Sequence, residues 1–447
     1  MPSLPLEGIR IVDLSQVWAG PLTSRMLADM GAEVINVEAC QRIDFLRYFN
    51  PAENESGERP WERSNRNLLH RNKRNLTLNL NSPHGIDLIK RLVKISDVVM
   101  ENFSPRVMKN FGLTYDVLKE IKPDIIMLSM SAYGQTGPYG YYSGLGTAIE
   151  AVAGTSNLAG YPDGPPREVD SYISDPGSGV YGAGALLTAL YHRDKTGKGQ
   201  FIDLSEAETV TTLIGGPILD YTLNGRVQSR MGNRHPWMAP HGVYRCQGND
   251  SWVAIAVRSE AEWPIFCRVI GNPAWITDKR FADMPARWQN HDELDRYIEE
   301  WTTRLDHYQV MYLLQEDGVP AAAVLNVSEV LLDKHVRANK YFELFEQAEI
   351  GTRPCPGVSF KLSKTPGSIR KPAPTLGEDN EYVLGQLLGI SQDDITRLEA
   401  EEVIGQHPIP LPKSADIVPV ELLQDCKLLA GVDSDYLNQI KEYDANR

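Results

Sequence analysis

The sequence predicts an α/β protein: a large Rossmann-like domain built on a parallel sheet, with a second, smaller α+β domain. Three observations predict it. Short apolar runs alternate with helical patterns from Ile9 to Leu204. Near residue 225 the texture changes to a hairpin followed by short helices. The length, 447 residues, suits two or three domains that each bury a core.

The first elements read strand, helix, strand. Ile9, Ile11, Val12 and Leu14 form an apolar run, and Gly20-Pro21 opens a helical segment through Leu22, Met26, Leu27 and Met30. Gly31 closes it, and Val34-Ile35-Asn36-Val37 resumes as a strand. Proline just inside a helix and glycine just past it are the expected punctuation, and the spacing is that of a βαβ unit. Leu76 to Leu80, Val98-Val99-Met100, Ile125 to Leu128 and Phe201 to Leu204 read as further strands. Residues 85–95, 146–154 and 179–193 read as helices.

The smaller domain is placed at 225–325. Gly242 to Arg245, a Gly248-Asn249-Asp250 turn and Trp252 to Val257 make a hairpin pattern, with short helices near 260–270, 292–304 and 307–317. The run Ala321 to Leu325 reads as the point where the chain returns to the large domain, which takes 1–224 and 326–405. Residues 406–447 read as a C-terminal extension, extended through His407 to Pro412 and helical from Val420.

Composition narrows the partners. Hydrophobic residues make up 42% and charged residues 23%, and the net charge is −14. An acidic surface repels phosphate backbones and anionic lipids, so nucleic acid and membrane are not expected partners. No stretch approaches the roughly 18 to 20 apolar residues of a membrane span. The N-terminus has neither the basic start nor the apolar region of a signal peptide. Cys40, Cys246, Cys267, Cys355 and Cys426 are scattered, form no CxxC, and read as reduced thiols of a cytoplasmic protein without a metal site.

Common phosphate, zinc and serine-hydrolase motifs are missing: there is no GxxxxGK[ST], no HExxH and no GxSxG. One GxGxxG occurs, Gly177-Ser178-Gly179-Val180-Tyr181-Gly182, with Asp203 about 20 residues on, where a dinucleotide fold places its ribose-binding acid. That outline raises a nicotinamide-dependent oxidoreductase as the rival reading. Against it, Val169 to Asp175 is too polar for a central parallel strand, and Asp175 would face a pyrophosphate. Asp175 before Pro176 also makes a good helix N-cap. The cap does not exclude chemistry, since a helix N-terminus stabilises a carboxylate and the next glycines admit a ligand.

The sequence resembles the class III CoA-transferases, the family of formyl-CoA transferase and carnitine CoA-transferase. The resemblance runs over residues 5–395. It rests on Leu6 to Ser15, Ala19-Gly20-Pro21, Leu27 to Ile35, Asn72-Lys73-Arg74, Asp97 to Phe103, Gly134 to Pro138, Gly232 to Pro236 and Gly318 to Ala321. Many ordered matches are far more specific than one short motif.

The resemblance places the family's nucleophilic aspartate on Asp175. It implies an aspartyl anhydride and then an aspartyl-CoA thioester, with CoA thioesters as co-substrates and no permanently bound cofactor. It carries CoA contacts onto Leu78, Asn102 and Phe103, with Trp18 and Ala19 near the thioester. Ser131 and Asn110 stand where the formyl-CoA enzyme has basic residues, so Arg106 and Lys109 are expected to supply the phosphate charges. Gly146 replaces an acidic residue of that enzyme's site, which argues against formate. The family also contains 2-methylacyl-CoA racemases, whose histidine lies before the aspartate. Here Tyr139 to Asp175 holds no histidine.

The resemblance points to succinyl-CoA as donor and a substituted, aryl-bearing succinate as acceptor, as in a benzylsuccinate-type subunit. Trp18, Tyr48, Phe49 and Trp61 could wall an aromatic pocket, and Arg47, Arg71 or Arg74 could hold a second carboxylate. Segment 223–234 reads either as a closing loop or as an interdomain connection. An interlocked dimer is expected, homomeric or with a related subunit. A catalytically silent partner subunit is the non-enzymatic alternative, against which the retained Asp175 argues.

Overall fold

The computed structural model describes residues 4–47, 67–168, 172–347 and 351–410, with 420–427 and most of 429–445. The chain forms two compact units, one of Met1–Thr155, Glu168–Gly215 and Lys334–Arg447, the other of Ser156–Arg167 and Gly216–Asp333.

The first unit follows the alternation in the sequence. In order come β1 (Arg10–Asp13), α1 (Ala19–Asp29), β2 (Glu33–Glu38), α2 (Asn67–His70), β3 (Arg74–Thr77), α3 (Pro83–Lys94) and β4 (Val98–Glu101). Then come α4 (Arg106–Asn110), α5 (Tyr115–Ile121), β5 (Ile126–Ser131), α6 (Gly146–Ala153), α7 (Thr155–Leu158, which from its second residue on belongs to the other unit), α8 (Ser174–Thr196), β6 (Phe201–Ser205) and α9 (Glu206–Thr211). The six strands are parallel in the order β3-β2-β1-β4-β5-β6. That is the doubly wound order, in which connections leave β1 and β4 in opposite directions and open a crevice at their carboxyl ends.

Strand alternation builds the core. Ile11, Val34, Val98, Ile126 and Leu128 pack on one face with Leu27 of α1 and Leu186 of α8. Their neighbours Val12, Ile35, Val99 and Met127 pack on the other face with Leu88, Ile89 and Leu92 of α3. Burial on both faces explains why these strands read as unbroken apolar runs.

The first unit differs from the sequence reading in two places. Helix α8 begins at Ser174, close to the start that an Asp175 cap implies but ahead of the apolar pattern from 179, because its polar, glycine-containing first turns mask that pattern. An antiparallel hairpin, Phe342–Gln347 with Gly351–Pro356, was not foreseen.

The second unit holds α10 (Gly215–Asn224) from its second residue on, then β7 (His241–Arg245), β8 (Trp252–Ala256), α11 (Glu262–Val269), α12 (Met284–Gln289), α13 (His291–Thr302), α14 (His307–Glu316) and β9 (Ala321–Val324). Its core gathers Val253, Ile255, Phe266, Phe281, Leu294, Ile298, Val310 and Leu314. The expected return of Ala321 to Leu325 to the large domain is corrected: β9 pairs antiparallel with β8, Ile255 opposite Ala321, and completes the small sheet. A short alanine run shows extension but not its partner. Segment 223–234 lies in this unit, where the Gly232 amide donates to the Gly160 carbonyl at 2.8 Å. Among the described residues no helix is long and apolar enough to cross a membrane.

Candidate active site

The site is built where β1 and β4 diverge. Asp13 ends β1 and is fully buried. Its carboxylate accepts from Lys73 Nζ at 3.1 Å, Ser24 Oγ at 2.6 Å and the Ser15 amide at 2.9 Å. Lys73 also donates to the Pro21 carbonyl at 3.0 Å, tying the first turn of α1 to the sheet. Beyond β4, Asn102 closes the crevice like a strand partner: the Gln16 amide donates to its Oδ1 and its Nδ2 donates to the Gln16 carbonyl, both at 2.8 Å. Between these anchors Val17 sits at φ 67°. A β-branched residue there is strained by about 1–3 kcal/mol and persists only where its surroundings over-determine it. Gly20 leaves no choice of side chain, since a Cβ would lie 2.3 Å from that of Ser15.

This fixed loop aims the first turn of α1 at the first turn of α8. Asp175 stands inside that turn rather than at the cap, and the residue in the cap position, Ile173, provides no side-chain capping bond. The Ala19 N–H of α1, an amide that its own helix leaves unpaired, is directed at the Asp175 carboxylate and lowers its proton affinity. Burial raises the Asp175 carboxyl to about 6; the nearby Glu150 adds to the rise, and the Ala19 N–H opposes it. Glu206, the first residue of α9, is 5% exposed, and burial, followed by the charge of Asp175, pushes it to about 8. Its Oε2 has no hydrogen-bond partner among the described residues. Glu150 is buried and accepts from the Ser174 amide at 3.3 Å. Gly146 opens α6, and a Cβ there would stand 3.0 Å from Asp175 Oδ2 and 3.2 Å from Ser174 Oγ.

A cleft of about 440 Å³ lies beyond the carboxyl ends of β4 and β5, lined by Ser104, Pro105, Arg106, Gln135, Thr136, Gly137, Gly140 and Tyr141. Beside it Tyr139 and Tyr142 stack at 5.0 Å, with Tyr141 edge-on to Tyr142 at 4.8 Å. Arg106 is exposed and makes no ion pair among the described residues. Lys109, one turn further along α4, is also exposed. Ala19 meets Asp175 directly, and Trp18 precedes it half-buried. Phe103 packs against the core that contains Leu78, itself 1% exposed. Glu150 and Glu206 were missed by sequence reasoning; the available signal was an acid placed directly after strand β6.

One sequence expectation fails on physical grounds. Arg47, Arg71 and Arg74 have no free charge for a ligand. Arg47 pairs with Glu38 at 2.6 Å and Arg71 with Asp29 at 2.8 Å, both within the core. Arg74 pairs with Asp379 at 2.8 Å and lies over the Tyr382 ring. Of the proposed aromatic wall, Tyr48, Phe49 and Trp61 lie outside the described residues. The GxGxxG is no phosphate loop: all its glycines lie inside α8, past its first turn, rather than in a turn between strand and helix. A Cβ on Gly179 would meet Leu22 at 2.9 Å, and one on Gly182 would meet Thr23 Oγ1 at 2.7 Å, so these glycines let α8 close on α1. Asp203 accepts the Gln135 amide at 2.9 and 3.1 Å, so it holds a loop rather than standing free for a ribose.

A doubly wound sheet with a raised carboxylate at its switch point defines an α/β protein equipped for carboxylate chemistry on a small ligand. Comparison with known proteins supplies the family. Residues 6–380 match the model of CoA-transferase family III, and the chain belongs to that family and is a CoA-transferase. It is 34% identical to the succinyl-CoA–D-citramalate CoA-transferase of Chloroflexus aurantiacus, over 90% of this chain and 99% of that protein. It is 32% identical to the succinate–glutarate CoA-transferase of Agrobacterium fabrum, over 86% and 96%. Among solved structures, a CAIB/BAIF family protein from Brucella suis superposes with a TM-score of 0.78 at 30% identity, covering 86% of this chain and 100% of that one.

Proposed function

We propose that the enzyme passes CoA from succinyl-CoA to a dicarboxylic acid through covalent intermediates on Asp175. The observation that carries the proposal is the Asp175 carboxylate, raised to about 6 and met by the Ala19 N–H at the switch point. An Asp175 oxygen attacks the donor thioester carbonyl; the C–S bond breaks, leaving a mixed anhydride and CoA thiolate. The thiolate attacks the Asp175 acyl carbon, forming the aspartyl-CoA thioester and releasing succinate. The acceptor carboxylate then attacks that thioester, and the freed thiolate takes the acceptor's acyl group, restoring the Asp175 carboxylate. Bonds of like energy are exchanged, so dividing the transfer into covalent steps is what lowers the barrier. The Ala19 N–H serves as a preorganised donor for the oxyanion that forms at the Asp175 carbonyl.

The cleft at Arg106 and Gln135 suits the nucleotide end of CoA. Arg106 and Lys109 offer exposed positive charge for its phosphates, and the tyrosines offer faces for adenine. Asn102 and Trp18 hold the loop beside the thioester, and Leu78 and Phe103 form the apolar floor. Relatives named for succinyl-CoA with D-citramalate, L-malate or glutarate support a succinyl donor and a dicarboxylic acceptor. A substituted succinate, aryl-bearing included, is the acceptor to test first.

An obligate dimer fits the outer face of α8. Val180, Tyr181, Leu187 and Tyr191 are exposed there, although its inner face is already buried; a helix apolar on both faces is expected inside an assembly. Separate α and β subunits among the relatives make a related chain an alternative second subunit.

The test is peptide mass spectrometry after incubation with succinyl-CoA and other acyl-CoA donors. A CoA or acyl adduct on Asp175 that passes to added acid, and is lost in Asp175→Ala, is the expected result. No adduct with any donor, together with proton exchange at an acyl α-carbon, would overturn the proposal in favour of racemase chemistry. An adduct seen only when a related subunit is added would assign this chain a place in a heteromer.

A further inference from the structure

We infer that Glu101 is a positioning residue that pins both walls of the Arg106–Gln135 cleft and so sets the affinity for CoA, an inference that rests on reading that cleft as the CoA site.

The argument begins with strand register. Glu101 ends β4 opposite Ser129 of β5, and Ser129 lies opposite Asp203 of β6. Residues in one row share a face of the sheet, so three polar side chains line up at its carboxyl edge. An apolar sheet interior gives no reason for a carboxylate there. Yet Glu101 is 2% exposed, and burial above all, with the charge of Asp203 adding to it, pushes it to about 7. Among the described residues no cation offsets it, only hydrogen bonds: the Phe103 amide donates to Oε2 at 2.7 Å and the Ser129 hydroxyl donates to Oε1.

Both donors lead to the cleft. Phe103 directly precedes Ser104, Pro105 and Arg106, which form one wall. Ser129 Oγ accepts from Gln135 Nε2 at 2.7 Å, and Gln135 belongs to the other wall. Asp203 completes the hold by accepting the Gln135 amide through both oxygens. One carboxylate therefore fastens the loop after β4 and, through Ser129, the loop after β5, while a second fastens the latter from the far side. The direction of donation matters. Ser129 accepts from Gln135 while its own hydroxyl donates to Glu101. A glutamine at 101 has a single accepting oxygen, so the Phe103 amide and the Ser129 hydroxyl can no longer both donate to it as they do to the carboxylate, and the hold on one wall weakens.

The test measures binding of free CoA by calorimetry, and kcat and KM for succinyl-CoA, in wild type, Glu101→Gln, Asp203→Asn and Arg106→Ala. Loss of a charge-accepting partner predicts CoA binding weakened by about tenfold or more in Glu101→Gln. Its kcat at saturation should fall far less, because Asp175 and Ala19 are untouched. Asp203→Asn should show the same split, which keeps the test open should Glu101→Gln fail to fold. If Arg106→Ala leaves CoA binding unchanged, the cleft is not the CoA site and the reading beneath the inference fails. If Arg106→Ala weakens binding while Glu101→Gln and Asp203→Asn do not, or lower kcat alone, the inference is overturned and the reading stands.

Discussion

Replacing Asp175 by asparagine should stabilise the protein while abolishing transfer. The Asp175 carboxyl titrates at about 6 in the folded chain, against an ordinary value of 3.8. Each tenfold change in proton affinity is worth about 1.4 kcal/mol, so the ionised carboxylate destabilises the native state by about 3 kcal/mol at pH 8. A folded value above the unfolded one means stability that is fully present below pH 3.8 and lost as the pH rises through about 6. Asparagine carries no such charge, and its carbonyl oxygen can still accept the Ala19 N–H. The variant should therefore melt several degrees above wild type at pH 8, with the gap nearly closed at pH 4. Two compact units need not unfold together, so the comparison is of the transition assigned to the unit with the six-stranded sheet, followed by thermal denaturation across pH. A gain of the same size at both pH values, or a loss at pH 8, would refute the view that burial and Glu150 hold this carboxylate at a cost.

Gly146→Ala should lower transfer at least tenfold with little change in melting temperature, because the added methyl would crowd Asp175 Oδ2 at 3.0 Å; unchanged kcat/KM for every acceptor would show that the space beside Gly146 is not used. Gly179→Ala should cost about 1–3 kcal/mol in denaturant unfolding by forcing α8 away from Leu22, and NAD should shift neither wild type nor variant; stabilisation by NAD would revive the dinucleotide reading. Glu206→Gln should match wild type in stability near pH 4 and exceed it increasingly as the pH rises from the ordinary carboxyl value of 4.5 to about 8. The raised Glu206 carboxyl keeps its stabilising proton at low pH and loses it as the pH climbs through about 8. Melting curves that coincide at pH 8 as they do at pH 4 would contradict that assignment.

The sheet was legible because burial on both faces writes strands as apolar runs, and β4 and β5 are buried at every position. The start of α8 was not legible in that way, because the residues that make it functional suppress the helical pattern: Asp175 faces another helix, and Gly179 and Gly182 are small so that α1 can approach. The same glycines, spaced as a dinucleotide fingerprint, show why a spacing carries meaning only in its structural context. Arg47, Arg71 and Arg74 looked available because pairing across 9 to 305 positions leaves no local trace. Glu206 and Glu101 were hard to single out for a different reason, since their local signal is weak. A lone acid after a strand is usually a solvated loop residue, and only tertiary packing shows that these are buried.

The way Asp175 is raised bears on the chemistry proposed for it. The described groups that act on it are its own burial, the like charge of Glu150 and a single N–H donor. A cation would stabilise the free carboxylate and so deepen the well from which it must attack. Burial and like charge do the reverse, and their effect vanishes once Asp175 is acylated, because neither the anhydride nor the thioester carries the charge. Such an environment favours every covalent intermediate over the free anion by up to about the same 3 kcal/mol that the folded protein gives up. The gain has a ceiling, because a protonated carboxyl does not attack. With the Asp175 carboxyl at about 6, about nine-tenths of the enzyme is ionised at pH 7, whereas a carboxyl titrating at neutrality itself would be only about half ionised there. A carboxyl at about 6 thus combines a raised free-anion energy with a mostly ionised population at pH 7, the two things the proposed covalent steps require.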